Sequence, residues 1–159
     1  MRVRIICLGK IREKYLKEGI AEYSKRLGRF CTFEICELPD IKIPDNPSES
    51  ECHKVLSEEG EAVLKKISKD SFVIALCVEG KAMSSEELAS KMSSVTLMGK
   101  SNIDFIIGGS LGLSEAVKKR SDMRLSFSAF TFPHQLMRLV LTEQIYRAFK
   151  INANEEYHK

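Results

Sequence analysis

The stretch best suited to chemistry in this sequence is one that leaves its main chain bare. Asp104 to Ser114 reads DFIIGGSLGLS: the apolar run Phe105-Ile106-Ile107 stops at Gly108-Gly109-Ser110, and Gly112 follows before a helical pattern. Paired glycines between a strand and a helix uncover N–H groups, with no Cβ to hold a ligand away. A plain strand-to-helix turn uses the same residues, so the fragment alone leaves both roles open. Two further stretches resemble it in position. Leu76 to Gly80 ends another apolar run, and Ser126 to His134, SFSAFTFPH, gathers Phe127, Phe130 and Phe132 among small residues. In parallel α/β sheets ligands sit beyond the carboxyl ends of the strands. Three such ends on one edge make a slot for a flat heterocycle.

Other chemistries fit poorly. The glycines are not G-x-G-x-x-G, they follow a late strand, and no acidic residue stands about 20 positions on, as a dinucleotide fingerprint requires. No G-K-[ST] follows them. His53, His134 and His158 form no hydrolase arrangement. Cys7, Cys31, Cys36, Cys52 and Cys77 are odd in number and lack C-x-x-C spacing. Cys7 and Cys77 lie in apolar runs, where free cysteine packs as a small core residue. Cys52-His53, adjacent on a polar helix, make a poor metal pair, so no metal is expected. This cysteine usage suits a reducing cytoplasm.

These loops need elements to hold them. Val3 to Leu8 reads as a strand, Ile11 to Leu27 as an amphipathic helix and Phe30 to Leu38 as a strand. Pro39 to Ser50, with three prolines, is a loop; about Glu51 to Lys69 is a second helix. Phe72 to Val78 is a third strand closed by Glu79-Gly80-Lys81, and Ser84 or Ser85 caps a third helix with Glu86 and Glu87 in its first turn. The glycine-loop strand, a short helix from Ser114 to Arg120 and a strand from Met123 to Phe127 follow. Pro133, at a first helical position, opens a helix to about Lys150. This alternation predicts an α/β fold: a mostly parallel sheet with helices on both faces, in one domain spanning 1–159. No apolar run approaches the roughly 20 residues that cross a bilayer, and MRVRIICLGK has too short an apolar core for a secretory signal.

Net charge is only +3, yet Arg2, Arg4, Lys10, Arg12, Lys14, Lys17, Lys25, Arg26 and Arg29 crowd the first thirty residues. Such crowding marks either a surface that meets phosphates or a solvated helix face laced with pairs such as Glu13–Lys17 and Glu22–Arg26. Charge alone does not choose between them.

The motifs IIGGSLGLSEAV, LSFSAFTFPHQLMRLVLTEQIYRAFKI and the terminal YHK, with the opening ICLGK and its basic helix, are similar to the ribosomal large-subunit pseudouridine methyltransferases of the SPOUT class. The resemblance covers essentially the whole chain. It implies S-adenosylmethionine-dependent methylation of ring N3 of a pseudouridine in 23S rRNA, at an interface hairpin of the assembled ribosome, in the cytoplasm. It also implies a homodimer with each site completed by the second chain, and a carboxyl-terminal trefoil knot, a topology that no local pattern reveals. Cofactor contacts then fall on Leu76, Gly108 and the loop Phe127, Ser128, Ala129, Phe130, Thr131 and Phe132. The catalytic candidates are His158 as base or proton relay, Arg147 as charge stabiliser or phosphate anchor, and Tyr157 as the residue that orients the uracil ring. Arg138 and Arg147, nine apart and so near opposite sides of one helix, divide between them an RNA-facing and a cofactor- or partner-facing role. Glu156 departs from the family, which often has proline or a small residue before Tyr-His, and bears on how stiffly the tail is held. A non-catalytic ribosome-associated factor and a related methyltransferase acting on tRNA are the alternatives.

Overall fold

The computed structural model describes residues 1–157. Its elements are β1 (Arg2–Leu8), α1 (Lys14–Leu27), β2 (Thr32–Leu38), α2 (Glu49–Lys66), β3 (Phe72–Ala82), α3 (Ser85–Leu97), β4 (Asn102–Ile107), α4 (Glu115–Arg120), β5 (Met123–Ser126) and α5 (His134–Asn152). The strands form one wholly parallel sheet in the order β2-β1-β4-β3-β5. The central strands are continuous apolar runs because both their faces are covered. From β1, Val3, Ile5 and Cys7 join a core with Leu88 and Met92 of α3 and Leu141 and Ile145 of α5. Ile6 and Leu8 point the other way, to Val63 of α2 and Val117 of α4. Leu16 and Ile20 of α1 pack with Leu136 and Leu139 of α5, and Leu139 lies directly over Gly19.

Several boundaries shift for identifiable reasons. The second helix starts two residues earlier than expected, because Ser48 and Glu51 form a reciprocal capping box. Ser84, not Ser85, caps α3 through the same device with Glu87. Pro133 takes the N-cap position and α5 begins at His134. The first helix begins at Lys14, later than Ile11, and pairs Lys14 with Glu18 and Arg26 with Glu22.

Strand β3 does not close at Glu79-Gly80-Lys81 but runs through them. Leu125 of β5 pairs with both Leu76 and Lys81, so Cys77 to Gly80 bulge out between the two registers. A Cβ at Gly80 would lie 2.6 Å from the Leu125 carbonyl carbon, so only glycine passes there. At the opposite end of the sheet the buried Asp104 carboxylate accepts from Arg4 Nε and Nη2, each at 2.7 Å, and from the Ser68 N–H at 3.3 Å. The five cysteines are free thiols. No helix among the described residues is long and apolar enough to cross a membrane.

Candidate functional site

Parallel strands bring the carboxyl ends of β3, β4 and β5 to one edge, and their loops enclose a cavity of ≈ 310 Å³. Leu76, Gly108, Phe127, Ser128, Phe130, Thr131 and Phe132 all line it, while Ala129 sits exposed in the same loop and does not. Ile107, Leu125 and Met137 supply apolar walls. The three phenylalanines divide: Phe127 packs against the core, whereas Phe130 is 80% exposed at the rim. Gly108 and Gly112 fold the glycine loop tightly on itself. A Cβ at Gly108 would meet the Gly112 carbonyl oxygen at 2.4 Å, and Gly112 itself has φ +82°.

Charged groups at this cavity are few. The Glu79 carboxylate receives Lys118 Nζ at 2.5 Å, and the same ammonium reaches Glu115 at 3.2 Å. The hydrogen bond holds the Glu79 carboxyl below its ordinary range and raises Lys118. The pair ties the β3 bulge to α4. Burial raises the Cys77 thiol, which lines the cavity as a neutral group.

Arg147 and Tyr157 meet elsewhere, around Glu143 of α5. Its Oε1 accepts from Arg147 Nε at 3.0 Å, from Arg147 Nη2 at 2.5 Å and from the Tyr157 hydroxyl at 3.0 Å. Gln144 Nε2 donates to Glu143 Oε2 at 2.7 Å. The Tyr157 ring meets Tyr146 edge-on at 5.0 Å, under the Arg147 guanidinium at 4.7 Å. Burial, then the bonds to Tyr23 and Glu143, push the Tyr157 phenol well above its ordinary range, so it is a neutral donor. His158 lies outside the described residues. The organising group, Glu143, was legible only as an i,i+4 partner of Arg147.

Arg138 differs from its expected role. Its side chain is wholly buried, donating from Nη2 to the Leu8 carbonyl at 2.5 Å and from Nη1 to Glu37 at 3.0 Å. It meets neither RNA nor solvent, because α5 packs that face onto the end of β1. Phe149 likewise stacks on Phe30 within the chain's own core, whereas Leu136, Leu139 and Val140 stay half-buried on the helix flank.

A second cavity adjoins the first at the ends of β1 and β2. Lys10, Arg12 and Lys17 line it with Asp40, Glu37 and Gln135, and His134 belongs to both cavities. Glu37 is already engaged by Arg138 and by the Ile11 N–H, so the basic groups dominate its mouth. Among the described residues no cluster of His, Cys, Asp and Glu is arranged to hold a metal.

A family model described as "Predicted SPOUT methyltransferase" matches residues 1–158. The protein named Ribosomal RNA large subunit methyltransferase H in Streptococcus thermophilus is 58% identical over 159 residues, covering 100% of both chains. Its namesake in Levilactobacillus brevis is 55% identical with the same coverage. Among solved structures, a probable methylase family protein of Haemophilus influenzae aligns with TM-score 0.54 at 16% identity, over 99% of this chain and 70% of that one. A tRNA methyltransferase of Aquifex aeolicus aligns with TM-score 0.53 at 18% identity, over 92% of this chain and 70% of its own. At these identities the structural matches speak to fold alone.

Proposed function

The chain belongs to the SPOUT methyltransferase family, and on that premise we propose that it methylates ring N3 of a pseudouridine in the 23S rRNA of the assembled ribosome, using S-adenosylmethionine. The observation that carries this is its end-to-end 58% identity to a named large-subunit ribosomal RNA methyltransferase. The substrate class separates it from a tRNA enzyme, whose likeness here is confined to the fold.

The residues present fit the cofactor. Apolar walls at Leu76, Leu125 and Met137 suit a nucleobase, and Gly108 and Gly109, without side chains, let its polar edge approach the main chain. When bound, the sulfonium supplies an already activated methyl group. The chain's task is then alignment, together with help for an acceptor that is weakly nucleophilic until its imide proton leaves. Arg147 carries positive charge suited to stabilising that deprotonated base. Tyr157, a neutral phenol, suits a hydrogen bond to a uracil carbonyl, and His158 is the candidate base.

Met137, at the cofactor cavity, and Arg147 stand ten positions apart on α5, about 15 Å at 1.5 Å per residue. One chain therefore holds its donor and acceptor machinery apart. This supports a homodimer in which the tail of one copy completes the cavity of the other, with Leu136, Leu139 and Val140 at the interface. The carboxyl-terminal knot belongs to the same proposal. The cationic second cavity suits the RNA backbone, which is gripped through its phosphates. The reaction takes place in the cytoplasm, where ribosomes are, within one domain spanning 1–159.

Titration calorimetry with S-adenosylmethionine, followed by transfer of labelled methyl to ribosomes, free rRNA and tRNA, tests this directly. Labelling of assembled ribosomes alone, mapped by mass to one pseudouridine, is the expected result. Labelling of tRNA, or no affinity for the cofactor, would overturn it.

A further inference from the structure

Helix α2 contributes no residue to either cavity, yet it carries a carboxylate that reaches the walls of both. Glu59, at the middle of the helix, is 6% exposed. Its Oε1 accepts the Ile41 N–H at 3.0 Å, just past Pro39 and Asp40, which wall the cationic cavity. Its Oε2 faces the cofactor side: a Cβ on Gly109 would lie 3.1 Å from it. The next residue, Gly60, meets the far end of the same glycine loop. A Cβ on Gly60 would fall 2.2 Å from Ser114 Oγ, the oxygen that caps α4 by accepting the Val117 N–H. The dipeptide thus touches the glycine loop at both ends, and touches the loop after β2 as well.

Packing alone does not account for this arrangement. An apolar side chain would fill the same space without the cost of removing a carboxylate from water. That cost shows in Glu59, whose carboxyl is raised by burial and by Asp40, against the opposing pull of the Ile41 bond and His134. A side chain of this length with an acceptor at its end holds the N–H of one loop while standing against the backbone of another.

We propose that Glu59 and Gly60 are positioning residues for methyl transfer: they set the shape of the glycine loop for cofactor binding and, through Ile41, fasten it to the wall of the RNA-facing cavity. This rests on the first cavity being the S-adenosylmethionine site. Neither residue touches cofactor or acceptor, so both act on affinity rather than on the chemical step.

The test measures S-adenosylmethionine affinity by calorimetry and ribosome methylation kinetics for the full chain and its Glu59→Ala, Glu59→Gln and Gly60→Ala variants. A Val95→Ala variant, in the core on the far face of the sheet, reports the effect of stability loss alone. Glu59→Ala is expected to weaken cofactor binding about tenfold or more and to raise the KM for both cofactor and ribosomes, with kcat at saturation within about twofold. Glu59→Gln, which keeps an acceptor for Ile41, restores most of the affinity. Gly60→Ala raises the KM for cofactor but not that for ribosomes, since it does not touch Ile41. Unchanged cofactor affinity in folded Glu59→Ala and Gly60→Ala, or a loss no greater than that of Val95→Ala, overturns the inference while the functional proposal stands. A wild-type chain that does not bind S-adenosylmethionine overturns both.

Discussion

The Tyr157 hydroxyl donates to Oε1 of Glu143 across 3.0 Å, and Arg147 binds the same oxygen. Tyr157 is therefore tied to α5 by a carboxylate that also pairs with the nearby cation. Removing that carboxylate breaks both hydrogen bonds without touching the glycine-loop cavity. Glu143→Ala is expected to lower kcat for ribosome methylation about tenfold or more while leaving S-adenosylmethionine affinity within about twofold. Parallel calorimetry and single-turnover kinetics check this; an equal loss of cofactor affinity would contradict the separation of the two sites.

Glycine-loop geometry predicts a contrasting phenotype. Alanine at Gly108 has no room, because its Cβ would sit 2.4 Å from the Gly112 carbonyl oxygen. Gly108→Ala must open the loop, so cofactor affinity falls about tenfold or more while the melting temperature drops by only a few degrees. Retention of wild-type affinity would mean that the loop merely packs.

Asp104 is wholly buried and takes two hydrogen bonds from Arg4, itself 8% exposed. Breaking a buried pair by deleting one partner leaves the other charge uncompensated. Asp104→Ala should cost about 3–5 kcal/mol in equilibrium denaturation, through the fold and not through the site. A loss below about 1 kcal/mol would show that Arg4 finds water instead.

Glu59 also predicts a pH dependence with a definite sign. Its carboxyl is raised in the folded chain, chiefly by burial, so the folded state holds the proton where the unfolded state has lost it. Its contribution to stability is therefore fully present below the ordinary carboxylate value and fades as pH rises through the higher folded one. Glu59→Gln, which cannot ionise, should gain stability relative to wild type between about pH 4 and pH 7. Thermal melts at the two pH values read the difference; a gain that shrinks as pH rises would reverse the sign.

Lys10 and Arg12 line the cationic cavity, and Lys14 opens the adjoining helix. Replacing all three with glutamate should weaken ribosome binding and flatten its dependence on salt, because fewer counterions are released, leaving cofactor affinity intact. Sedimentation with ribosomes measures it, and undiminished co-sedimentation would remove this surface from the RNA contact.

The sequence by itself determined the order of strands and helices, the parallel sheet and the three strand ends that form the cavity. Periodicity and turn chemistry are local, and Phe105-Ile106-Ile107 running into Gly108-Gly109 needs no distant partner to be read. Its motifs also determined the family. Tertiary structure alone decided which charges are buried. Arg138 and Arg147 look alike along the chain, yet one lies against the end of β1 and the other beside Glu143, because which side of α5 meets the sheet depends on every other element. Glu59 reads as one more acid on a polar helix; only the Gly60 beside it, an isolated glycine within a helical pattern, hinted at a close approach. The β3 bulge was hidden for the same reason, since its second register exists only through pairing with β5, far along the chain.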